Sequence, residues 1–120
     1  ISLLNLQYGD VSKDINLLKS KTGIKLIQYD SIDNFNDLDG LASLIDACDF
    51  VVTIDNSTIH LSSALGKKSF LLLPYVAEWR WLLNGDNSLW YPSAKLYRQD
   101  KINDWDSVFK KLKIDLKMIY

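Results

Sequence analysis

A chain of 120 residues has room for one hydrophobic core and little more, so a single domain over 1–120 is the expectation. Apolar residues make up 48% and charged residues 24%, ordinary globular proportions, and a net charge of −1 leaves no basic footprint for nucleic acid. The one cysteine, Cys48, excludes an internal disulfide, and no apolar run reaches the roughly 18 residues that a membrane span needs.

In chain order, "SLLNLQY" (2–8) is a short apolar run closed by Gly9-Asp10 and predicts a strand. Val11, Ile15 and Leu18 recur at helical spacing, and Gly23 is the stop signal. "IKLIQYD" (24–30) predicts a second strand, and a polar loop follows. Leu41, Leu44 and Ile45 predict a helix over 38–49. Cys48 reads as a small buried hydrophobe at its end. "FVVTID" (50–55) is β-branched and almost continuously apolar, as a strand covered on both faces would be. A helix over 57–66 ends at Gly66, and "KSFLLLP" (68–74) predicts a fourth, buried strand. The aromatic segment 75–93 carries a short helix at 78–83, and 94–99 predicts a fifth strand. The last helix, 103–116, places Trp105, Val108, Phe109 and Leu112 on one face, with Lys110, Lys111 and Lys113 on a solvated face.

Strands that alternate with helices predict an α/β fold, a three-layer Rossmann-like parallel sheet of about five strands with helices on both faces. The expected strand order is 2-1-3-4-5, with its reversal between the first and third strands. Ligands of open α/β sheets bind at such a reversal, outside the carboxyl ends of the strands. The loops expected to meet there are 7–10 and 55–60.

The second of these loops is the more informative. Asp55 ends a strand, and Asn56, Ser57 and Thr58 are all good helix caps. Unpaired N–H groups at the start of the next helix attract anions, and Ser57, Thr58 and His60 would add donors. The plainer reading has Asn56 or Ser57 capping a helix and His60 as a satisfied, half-buried histidine. No GxGxxG or P-loop pattern is present, and one histidine with scattered acids offers no metal-ligand spacing. Arg80, set between two tryptophans, is weighed as a phosphate contact against stacking on Trp79 or Trp81, or pairing with an acid. Arg98 at a strand end is a weaker candidate. Trp79, Trp81, Trp90 and Tyr91 read as core packing ahead of a base-stacking platform.

"LQYGD", "DACDFVVTIDNSTIHLSSALGKKSFLLLP", "EWRWLLNGDNSLWYPSAKLYRQ" and "DWDSV" together resemble the C-terminal half of GT-B glycosyltransferases. The likeness is to the heptosyltransferase-like branch, often found behind tetratricopeptide repeats in bacteria, and it covers almost the whole chain. The resemblance implies a domain that binds a nucleotide-diphosphate sugar, with the diphosphate on the helix that starts at Asn56 to His60. It implies that Gln7, Tyr8 and Gly9, with Asp10, face the same phosphates and that the loop from Asn34 to Leu41 lies near the base or ribose. Asp55 and Arg80 complete the expected site. No metal or other cofactor is implied. The catalytic base is expected from an N-terminal acceptor half in the same chain, for a protein or glycan acceptor, and the start "ISLLNLQYGD" without Met fits a piece of a longer, cytoplasmic protein. An isolated fragment of this kind is expected to be inactive. The departures are Tyr8 where some relatives carry Lys, Asn56 for Thr, Ser57 for Gly or Ala, Ser62-Ser63 for Ala-Gly, Lys68 for Pro and Glu78 for Asp. The alternative is a catalytically degenerate sugar-nucleotide-binding or scaffold domain. A flavodoxin-like regulatory domain is a third and weaker reading, since the acidic cluster after the first strand and the Lys after the last are not evident.

Overall fold

The computed structural model describes residues 1–119, which divide into two compact units, Ile1–Cys48 and the chain from Asp49 on. Both are α/β and both contain parallel strands, as the alternation of patterns predicted.

In the first unit, β1 (Leu3–Leu4) pairs in parallel with β2 (Leu26–Ile27). These ladders are far shorter than the runs 2–8 and 24–30 suggested, and a side chain explains why. Asn5 N–H donates to Ile27 O (2.9 Å), but the next donor, Gln7 N–H, turns to Asn5 Oδ1 (3.1 Å). A local side-chain acceptor competes with the ladder and ends the strand. Between them runs α1 (Ser12–Thr22), which ends at Gly23 in the left-handed conformation, with Gly23 N–H on Lys19 O. The helix α2 (Leu38–Ala47) starts on Asp37, whose carboxylate accepts the Gly40 N–H at 2.8 Å. A Cβ at Gly40 would collide with that carboxylate, so the cap and the glycine require each other.

The second unit holds a three-stranded parallel sheet, β3 (Val51–Ile54), β4 (Ser69–Leu73) and β5 (Ala94–Arg98), with β4 central. Two sheets of two and three strands therefore stand where one sheet in the order 2-1-3-4-5 was expected. The pairings 1-2, 3-4 and 4-5 of that order are present; a 1-3 ladder is not.

Helices cover both faces of the larger sheet. Leu71 and Leu73 of β4 pack with Ile59 of α3 (Ser57–Ala64), Ala94, Leu96 and Trp81. Phe70 and Leu72 point the other way, onto Tyr97 and onto Val108 and Leu112 of α4 (Trp105–Ile119). Every β4 side chain is buried. Strand β3 is an edge and differs: Val52 and Ile54 stand exposed, against the two-sided burial its composition predicted. On α4 the buried stripe is Val108 and Leu112, with Leu116 half-buried, and Phe109 turns outward. Among the described residues no helix is long and apolar enough to cross a membrane.

The expected helix at 78–83 is a single 3-10 turn, Trp79–Trp81, stopped by Leu82 in the left-handed region at φ +60°. That conformation costs a non-glycine residue free energy and needs support from its surroundings. Arg98 supplies the support. Its guanidinium donates to Gly85 O (Nε, 2.9 Å), Leu82 O (Nη1, 2.9 Å) and Trp81 O (Nη2). Arg98 is thus structural. Arg98→Lys cannot reproduce a three-carbonyl fork; it is expected to destabilise the protein by about 1–3 kcal/mol, read as a lower urea midpoint at unchanged m-value.

A second polar tie joins β5 to α4. Asp115 accepts from Lys95 Nζ and from the Tyr97 hydroxyl, both at 2.6 Å. Lys95 first, then Tyr97, hold the Asp115 carboxyl below its usual 3.8, while burial and Asp115 push the Tyr97 phenol up. A depressed carboxyl stabilises the fold above its unfolded pKa and loses that contribution as pH falls through its folded pKa. Acid titration below about pH 4 should therefore erode stability less in Asp115→Asn than in the parent chain, as followed by circular dichroism.

Candidate functional site

The expected site residues fall into two groups, one in each unit. In the first, the parallel β1 and β2 release their following loops on the same side. These loops wall a cleft of about 310 Å³ that includes Gln7, Tyr8, Gly9 and Asn34. Gly9 sits at φ +82°, a turn that favours glycine. Asn34 Nδ2 donates to Gln7 O (3.3 Å) and ties the loops together. Tyr8 leans on Phe35, ring centroids 5.4 Å apart. Three carboxylates line the cleft, those of Asp10, Asp30 and Asp33, and no lysine or arginine does. Ser12 holds the Asp10 carboxyl below the usual range, and Asn36 does the same for Asp33, so both are firmly ionised at neutral pH.

The second group surrounds the start of α3. Asn56 is its N-cap in extended conformation; its Oδ1 accepts the Thr58 N–H (3.0 Å) and the Thr53 hydroxyl (3.1 Å). The plainer reading of Asn56 thus describes what its side chain does. The neighbouring first-turn N–H groups have no i−4 carbonyl to receive them. Asp55 and Ser57 are exposed and Thr58 is buried.

His60 is half-buried in that first turn. Its Nδ1 lies 2.9 Å from the Tyr91 hydroxyl. The imidazole stacks on Trp81 (centroids 5.6 Å, interplanar 28°) and meets Tyr91 edge-on. One nitrogen is therefore fixed, and Nε2 has no hydrogen-bond partner among the described residues. Tyr91 lies 31 positions away and no sequence signal links it to His60.

Arg80 is exposed and directly precedes the buried Trp81. It pairs with Glu78 at 2.7 Å and lies over the Trp79 ring, 4.9 Å from its centroid. Both non-phosphate readings of Arg80 hold together, and Glu78, which stands where Asp is common, is the acid. Of the aromatic residues expected in the core, Trp81 is buried and Tyr91 half-buried, but Trp79 and Trp90 are exposed and meet each other edge-on at 6.2 Å.

Of the Ser62-Ser63 pair, Ser62 has a structural explanation, while Ser63 Oγ is buried with no hydrogen-bond partner among the described residues. Ser62 is fully buried and its hydroxyl bonds that of Ser69 on β4 at 2.9 Å, while Ser69 also donates to Lys67 O. Two hydroxyls at the helix–sheet contact satisfy one another. Among the described residues no group of three His, Cys, Asp or Glu side chains is arranged to hold a metal ion.

No protein-family model matches the chain, and no solved structure matches it. It is 33% identical over 106 residues to Protein FlbA of Caulobacter vibrioides. The match takes in 88% of this chain and 17% of that protein, so the chain spans less than a fifth of the length of its curated relative.

The cap is testable apart from any ligand. Asn56→Ala should destabilise the fold by about 1 kcal/mol in urea denaturation, and Asn56→Asp, which keeps the acceptor, should recover most of that loss.

Proposed function

We propose that this chain is the donor-binding domain of a metal-independent GT-B glycosyltransferase of the heptosyltransferase-like kind. In this reading the diphosphate of a nucleotide sugar lies on the first turn of α3. The carrying observation is His60, placed in that turn with Nδ1 on Tyr91 and Nε2 unpartnered. When Tyr91 donates to Nδ1, the ring proton sits on Nε2, which is then a donor for a phosphate oxygen. Ser57 adds an exposed hydroxyl, and the helix adds its free N–H groups and positive dipole end.

The chemistry that follows is electrostatic. Charge develops on the diphosphate as the glycosidic bond breaks, and donors already aimed at it lower the barrier without reorganising. Neither lysine nor arginine contributes to the turn itself, so α3 and His60 carry the stabilisation. The acceptor, a glycan or protein, and the catalytic base belong to the other half of a longer, cytoplasmic protein of the tetratricopeptide-repeat kind. The combination of a chain that covers 17% of a relative with motifs of one GT-B half supports this arrangement.

A second reading keeps binding and drops turnover. The engagement of Arg80 with Glu78 and Trp79, and Tyr8 in place of a lysine, favour it. Calorimetry of the full-length protein with UDP, GDP and ADP separates these readings from an unrelated role. One nucleotide should bind, and His60→Ala should weaken it about tenfold or more, the worth of a hydrogen bond to a charged group. Absence of binding by all three, or affinity unchanged in both His60→Ala and Ser57→Ala, would sink the proposal. Binding without sugar release from the matching nucleotide sugar would select the second reading.

A further inference from the structure

We infer that the cleft between the β1 and β2 loops binds an uncharged, hydroxyl-rich sugar ring and rejects phosphate. This rests on the donor-domain reading and concerns the first unit alone, where the resemblance implies phosphate.

The inference starts from charge. Asp10, Asp30 and Asp33 line the cleft, and no cationic side chain offsets them. A diphosphate brought here meets like charge from three carboxylates. Asp10 and Asp33 already accept from their own loops, through Ser12 N–H in one case and Phe35 and Asn36 in the other. Asp30 keeps its acceptor capacity for a ligand O–H donor.

The remaining polar lining is amide. Gln7 and Gln28 each carry a side-chain donor and acceptor, and both are exposed. Asn34 gives Nδ2 to Gln7 O, while its Oδ1 is buried with no hydrogen-bond partner. An unpaired buried acceptor is costly, and a ligand donor that reached it would relieve that cost. Groups that both donate and accept match hydroxyls, which do the same. Phosphate oxygens only accept and would leave the Asn34 Oδ1 and the carboxylates unanswered.

Polarity and size agree. The wall of the cleft is mainly polar, with Tyr8 and Tyr29 among its lining residues. The volume of about 310 Å³ lies at the lower end of small-molecule sites, roughly 300–1,000 Å³, and suits one ring in place of a whole nucleotide sugar.

Saturation-transfer difference NMR on the full-length protein tests this, with the methyl glycosides of glucose, galactose and N-acetylglucosamine and, separately, inorganic pyrophosphate followed by phosphorus NMR. At millimolar ligand at least one glycoside should take up saturation, and Gln28→Ala and Asn34→Ala should each reduce that signal severalfold. Pyrophosphate line broadening should be untouched by either variant. Gln28 is exposed and its truncation leaves the fold intact, so a loss confined to Asn34→Ala reads as a folding effect and overturns the inference. So does a panel without saturation, or pyrophosphate broadening abolished by Gln28→Ala. Because the glycosides carry no phosphate, these results stand apart from the His60→Ala titration of nucleoside diphosphates. The cleft inference can fail while the diphosphate reading survives, and the reverse.

Discussion

The larger unit depends on the burial of β4. Five consecutive side chains, Ser69 to Leu73, are removed from water on a strand whose residues alternate between two faces. Neither face can be left open, so a helix must close each one. Ile59 of α3 meets Leu71 and Leu73, and Val108 and Leu112 of α4 meet Phe70 and Leu72. Full burial of such a side chain is worth on the order of 1.5–3 kcal/mol, so these few residues outweigh the surface ion pairs many times over. The position of α3 relative to the strand ends, and with it the placement of His60, follows from this packing.

The same packing divides labour around His60. The imidazole is held from the core side by the stacked Trp81 and by the Tyr91 hydroxyl. A half-turn of the ring would keep the stack on Trp81 but give up the Tyr91 contact. The proposed diphosphate site draws on this fixed orientation. The cleft of the first unit has the opposite character, with carboxylates and amides where the α3 turn has N–H groups.

Periodicity and punctuation carried the order and type of the elements. Gly23 ends α1 through its left-handed conformation, and the buried strand expected at 68–74 is Ser69–Leu73, covered on both sides. Strand length was not legible, because Asn5 intercepts the Gln7 N–H through a local bond that apolar patterning does not register. Nor was the exposure of Trp79 beside the buried Trp81, which the single 3-10 turn they share points to different sides, or that of Trp90 in the later bend. For the candidate site, the cap at Asn56 was readable from residue type. The Tyr91 partner was hidden by 31 residues of separation, and the Arg98 fork by acceptors that are all backbone carbonyls.

The buried pair Ser62 and Ser69 has a consequence for how this domain can change. Each hydroxyl is the other's partner across the α3–β4 contact. Ser69 retains Lys67 O as an alternative acceptor and Ser62 retains Ile59 O, so each can tolerate some loss, but the seam between helix and strand is matched as a unit. Replacement of either serine alone by alanine leaves one hydroxyl facing a methyl group in a dry place, whereas replacement of both yields an apolar seam of similar volume. The two positions behave as one choice with two compatible settings, polar–polar or apolar–apolar, and a path between them passes through a mismatched intermediate.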